Sequence, residues 1–120
     1  MNGGFVGVLT ADLHLLGAAS LKDKRKPLHS LKAALTKATG GAVAEVDDQD
    51  ILRRARLTVA VVTAQATEAA RLLDVAERVV FASQFEILSV DRSIHSVAGW
   101  SDSRVGVRWW RAPASEVAAS

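Results

Sequence analysis

FVGVLTADLHLL, residues 5–16, alternates with period two. Phe5, Gly7, Leu9, Ala11, Leu13 and Leu15 fall on one side, and Thr10, Asp12 and His14 on the other. That spacing, with Gly17 closing it, predicts a β-strand with one apolar and one wetter face. An apolar sheet face must be covered, so the flanking segments are read for helical stripes.

SLKDKRKPLHSLKAALTKATGG, residues 20–41, supplies the first stripe: Leu28, Leu31 and Leu35, with Ala34 and Ala38, lie three and four apart. Gly40 and Gly41 stop it. Ser20 with Asp23 resembles a capping box that starts the helix near Leu21. Pro27 then either kinks the helix or opens its regular part, with 20–26 as a separate turn. His29 flanks the stripe as a boundary residue. Ala42 to Asp47 is a short strand, followed by the polar connection DDQDILRR. Arg56 to Thr63 is the run richest in β-branched residues. Thr67 is expected to cap a second helix through Glu68, with Ala69, Leu72, Leu73, Ala76 and Val80 on its inner face. Phe85 to Ile94 alternates as a last strand.

The order β-α-β-β-α-β is that of a ferredoxin-like α+β sandwich, with strand order 4-1-3-2 and both helices on one face. Its expected core is Phe5, Leu9, Leu13, Leu31, Leu35, Val59, Val61, Leu72, Leu73, Leu88 and Val90. Residues 1–96 make this domain, and 97–120 a C-terminal extension that carries all three tryptophans, with VGVRWW as a candidate extra strand and a frayed end.

With 120 residues, 49% of them hydrophobic, the chain supports one buried core. The absence of cysteine excludes disulfides, thiolate metal sites and thiol catalysis. The longest internal uncharged run, Leu57 to Thr67, is too short to cross a bilayer, and MNGGFVGVLT lacks the basic start of a secretory signal. The expectation is a cytoplasmic protein with no membrane partner. No Walker, dinucleotide, G-x-S-x-G or H-E-x-x-H fingerprint occurs, so no cofactor and no metal are expected.

A net charge of +2 is too small to imply nucleic-acid binding by itself. The topology, however, gathers Lys22, Lys24, Arg25, Lys26, Arg53, Arg54 and Arg56 at one end of the fold, an arrangement suited to phosphate. Asp47, Asp48 and Asp50 share that end and are alternative ion-pair partners. With Glu45 they lack a cation-binding loop spacing and are read as caps and ion pairs. The sheet face away from the helices carries Thr10, Asp12, His14, Ser89, Asp91, Ser93 and His95. If the protein is an enzyme, Asp12, His14 and Asp91 are the acid–base candidates. Trp100, Trp109 and Trp110 are the expected interface residues of a homodimer to which the extension contributes.

SLKDKR after the first strand, AEVDDQD at the second and RRARLTVAVV at the third occur in an order and spacing that resemble the YlxP-like proteins, a small bacterial family of unknown function. Ser20, Leu21, Lys22, Asp23, Lys24, Arg25, Glu45, Asp47, Gln49, Asp50, Arg54 and Ala55 carry the pattern, and the likeness runs from Phe5 to Ser96. The resemblance implies a ferredoxin-like fold and a role near RNA, because family members are encoded beside translation and ribosome-maturation factors. It implies no catalytic residues. Pro27, a shorter connection before the last strand and the tryptophan-rich extension depart from the family pattern. Besides a plain interaction partner whose extension tryptophans dock on another protein, two functions follow: an RNA- or ribosome-associated module using the basic end, or a small-molecule enzyme or binding protein. The second would place its pocket between the sheet face and either the extension or a second subunit.

Overall fold

The computed structural model describes residues 3–15, 21–46 and 54–101. The chain runs β1 (Phe5–His14), α1 (Leu21–Thr39), β2 (Ala42–Glu45), β3 (Arg54–Thr63), α2 (Ala66–Phe81), β4 (Glu86–Ser96) and a short α3 (Val97–Ser101). All strand pairs are antiparallel, the order is β2-β3-β1-β4, and α1 and α2 cover one face. This is the ferredoxin-like α+β sandwich expected from the alternation and the two stripes.

The middle of the apolar side of β1 is fully buried, with Leu9, Ala11 and Leu13 all at 0% exposure. Leu57, Val59 and Val61 of β3 continue that layer, and Leu28, Leu31 and Leu35 of α1 and Leu73, Ala76 and Val80 of α2 close it from above. Gly7 sets how close α2 can come, since a Cβ there would stand 3.1 Å from Val61 and 3.2 Å from Leu73.

α1 is one helix from Leu21 to Thr39 with Pro27 inside it, so the reading in which Pro27 opens the helix is corrected. The ring removes a single backbone donor in the second turn, and the buried leucines that follow hold the helix across that loss. Gly40 ends it at a φ of 71°, its N–H donating to the Thr36 carbonyl at 2.8 Å. α2 begins at Ala66 with Gln65 in the cap position, so the expected cap at Thr67 is also corrected. No side chain caps that end; Thr63 Oγ1 donates to the Gln65 carbonyl at 2.7 Å and fixes the turn into it.

β4 departs most from simple alternation. Asp12 pairs with Ser89 and Leu13 with Ile87, so Leu88 is an extra residue in a bulge. The bulge restarts the period: Ile87 packs on the core, and Leu88, expected inside, is 46% exposed. Phe5, Leu72 and Val90 were also expected in the core and are only partly buried. Leu72 and Val90 pack against its margin, and Phe5 lies at the open end of β1. Arg92 straps β4 to α2, its Nη1 donating to Asp74 at 2.8 Å and Glu77 at 3.0 Å and its Nη2 to the Ala70 carbonyl at 3.1 Å. No helix among the described residues is long and apolar enough to cross a membrane.

Leu35→Ala should therefore cost about 2–5 kcal/mol as a core truncation. Leu88→Ser should cost less than about 0.5 kcal/mol. Urea unfolding of the two variants measures both, and a Leu88 penalty as large as that of Leu35 would contradict the bulge.

Candidate functional site

The register of β1 assembles a line of polar residues on the face away from the helices. It sets Thr10 opposite Thr58 and Asp91, Asp12 opposite Arg56 and Ser89, and His14 opposite Arg54 and Glu86. Arg56 Nε donates to Asp12 Oδ1 at 2.6 Å and Nη2 to Oδ2 at 3.3 Å, while Ser89 Oγ donates to Oδ2 at 3.1 Å. The Arg56 hydrogen bond chiefly, and then Ser89, hold the Asp12 carboxyl below its ordinary value against an opposing cost of burial. A carboxylate with both oxygens engaged and its charge stabilised is a poor proton acceptor. Asp12 is thus suited to orienting Arg56 rather than to general-base chemistry. His14 Nδ1 lies 3.0 Å from Glu86 Oε1, the Thr10 and Thr58 hydroxyls are 2.9 Å apart, and Ser93 Oγ lies 2.8 Å from His95 Nε2.

α1 begins at the end of the sheet where β1 finishes and β3 starts. Arg25 and Lys26, both exposed on α1, therefore share an end of the molecule with Arg54 and Arg56. The two pairs stand on opposite sides of the sheet, because Arg54 and Arg56 are on the open face and α1 packs on the other. Lys22 and Lys24 occupy the first turn of α1. The side chains of Lys22, Lys24 and Trp100 lie outside the described residues, as do Arg53, Asp47, Gln49, Asp48, Asp50, Trp109 and Trp110 altogether. A groove of about 580 Å³ opens at the same end between α1 and the end of α2, with Leu31, Ala34 and Val79 in its lining and Lys26, Ser83 and Gln84 among its polar groups. Among the described residues no group of three or more His, Asp or Glu converges to hold a metal ion.

A family model described as a protein of unknown function, DUF503, matches residues 6–92. The chain belongs to that family. The matched stretch takes in Asp12, Arg56 and Ser89 together with α1 and α2, and stops before α3. Among solved structures, the structural-genomics protein YJCS is similar at 14% identity and a TM-score of 0.48, over 73% of this chain and 96% of its own. The de novo designed protein Ferredog-Diesel is similar at 19% identity and a TM-score of 0.39, over 76% and 87%. No curated protein matches the chain.

Arg56 as the partner of Asp12, and Glu86 as the partner of His14, were not foreseen from sequence. The signal is the antiparallel register, which appears only once the strands are aligned; the topology alone put Arg56 in the basic cluster, with Asp47, Asp48 and Asp50 as its candidate partners.

Asp12→Asn should destabilise the DUF503 domain by about 1 kcal/mol at neutral pH, the scale of a hydrogen bond in a partly buried site. Because the folded pKa of Asp12 is lowered, its contribution is complete above the ordinary carboxylate range and disappears as pH falls through the lowered value. Wild type and variant should thus differ in urea midpoint at pH 7 and converge in strong acid; equal midpoints at pH 7 would show that the pair contributes nothing.

Proposed function

We propose that this DUF503 protein is a cytoplasmic RNA- or ribosome-associated binding module that uses the basic end of its fold. The observation that carries the reading is that Arg25 and Lys26 on α1 and Arg54 and Arg56 on β3 lie at one end of the fold, on either side of the sheet, with Lys22 and Lys24 in the first turn of α1. Guanidinium groups match phosphate in a bidentate fashion, and neutralising backbone charge releases counterions. Arg56 is held in place by Asp12, so its direction is set before a ligand arrives. The likeness of SLKDKR, AEVDDQD and RRARLTVAVV to the YlxP-like proteins supports the same reading.

The open face bears Val6, Val8, Thr10, Thr58, Ala60 and Val62, with no Phe, Tyr or Trp among its described side chains. Sheets that read single-stranded RNA by stacking need such aromatics. Recognition here is therefore of phosphate and shape, at the end of the sheet and not across its middle. A second reading, binding of a small anionic molecule, is favoured by the groove beside Lys26, whose volume falls in the range of ligand pockets.

The triple variant Lys24→Ala, Arg25→Ala, Arg54→Ala should weaken binding to single-stranded RNA. It should also reduce the slope of log affinity against log salt by about 2, as expected for three lost phosphate contacts. Fluorescence anisotropy at several salt concentrations measures both quantities. An unchanged affinity and slope would remove the basic end from the interaction.

A further inference from the structure

The open sheet face is polar along β4 and at one end of β1 and β3; at the other end of β1 and β3 it is apolar, with Ser93 and His95 of β4 flanking Val8 and Val6. Towards the start of β1 the register brings together Val6 with Val62 and Val8 with Ala60, and Ala60 in turn with Ala42 on β2. Val62, at 75% exposure, is the most exposed large hydrophobic residue described. Most carboxylates of the sheet and its straps are engaged: Asp12 with Arg56, Glu86 with His14, and Asp74 and Glu77 with Arg92. Asp91 stands exposed on the same open face opposite Thr10, with no hydrogen-bond or ion-pair partner among the described residues. An apolar patch next to an unengaged carboxylate calls for an occupant that is apolar and cationic at once.

The chain itself carries one. β4 ends beside the start of β1, with Ser96 paired to Phe5, and α3 is pinned there by the Val97 N–H donating to the Gly4 carbonyl at 3.0 Å. Val6, the first residue of the patch, is thus next to the point where the chain leaves the sheet. The sequence beyond Ser101 contains Val105, Val107, Trp109 and Trp110, with Arg104, Arg108 and Arg111 interleaved. From Ser101 to Trp109 is eight residues, able to span up to about 26–29 Å when extended. The patch spans three strands at about 4.8 Å spacing, well inside that reach. We propose that residues 102–120 cover the apolar end of the open sheet face, with Trp109 or Trp110 over Val6 and Val62 and an arginine of the same segment beside Asp91. A second copy is the competing occupant. The segment's own chain is favoured by proximity, because a short tether gives an effective concentration of the order of millimolar without any assembly.

The test uses the full chain with Trp100→Phe, so that emission reports Trp109 and Trp110 alone. The expected result is blue-shifted emission, several-fold shielded from acrylamide, at concentrations where sedimentation shows a monomer. Adding Val62→Lys, an exposed change that leaves far-UV circular dichroism intact, should return emission and quenching to those of free tryptophan. Three results would overturn the proposal: free-tryptophan emission before Val62 is changed, emission indifferent to Val62→Lys, and a blue shift that appears only as the chain dimerises. The indole N–H resonances of the chain with Trp100 retained, recorded with and without Val62→Lys, test the same contact if Trp100→Phe does not fold.

Discussion

β1 is hydrogen-bonded to β3 on one side and to β4 on the other, and it presents Leu9, Ala11 and Leu13 to the helices with no exposure at all. A slip of one residue would turn those three side chains to solvent and carry Asp12 into the core. The cost of either makes the register close to obligatory. Once it is set, the residues opposite Asp12 can only be Arg56 and Ser89, and those opposite His14 only Arg54 and Glu86. The polar line on the outer face is thus a consequence of burying the inner one. The same constraint explains the bulge at Leu88, which lets β4 follow β1 past Asp12 while keeping Ile87 on the core.

The near-neutral net charge conceals a division of labour among the arginines. Arg92 fastens an edge strand to α2, and Arg71 makes an exposed pair with Glu68 one turn away. Arg56 is oriented by Asp12, whereas Arg25 and Lys26 are exposed on α1. Arg25, Lys26, Arg54 and Arg56 thus lie at the end where β1 hands over to α1, with Asp12 and Glu86 among them, and the opposite end of β1 and β3 is apolar on the open face. The proposed binding of a polyanion at one end and the proposed coverage of the other end by the C-terminal segment call on different residues and would not compete.

Much of the fold was legible because the apolar periods of β1, α1 and α2 agree with their burial. Leu31 and Leu35 on α1, and Ala69, Leu73, Ala76 and Val80 on α2, are buried as their spacing predicts. Alternation misled at Leu88 because a bulge inserts a residue without any local marker such as glycine. It overstated Phe5, Leu72 and Val90 because a period tells which side a residue faces and not how far the covering layer extends. The cap at Thr67 failed for a different reason: α2 starts two residues earlier, on a turn fixed by Thr63, and needs no side-chain cap. Of the candidate site, the faces of Asp12, His14 and Asp91 were readable from period two. Their partners were not, since Asp12 and Arg56 are 44 residues apart and meet only through the sheet.

The most direct test of RNA binding at the basic end is a two-dimensional ¹H–¹⁵N NMR titration of the full chain with a single-stranded RNA oligonucleotide at low and at moderate salt. Salt-sensitive shifts should cluster at the first turns of α1, around Arg25 and Lys26, and at the start of β3, around Arg54 and Arg56. Shifts confined to Thr10, Asp91 and Ser93 in the middle of the open face and to His95 at its far end, or no shifts at either salt concentration, would contradict it.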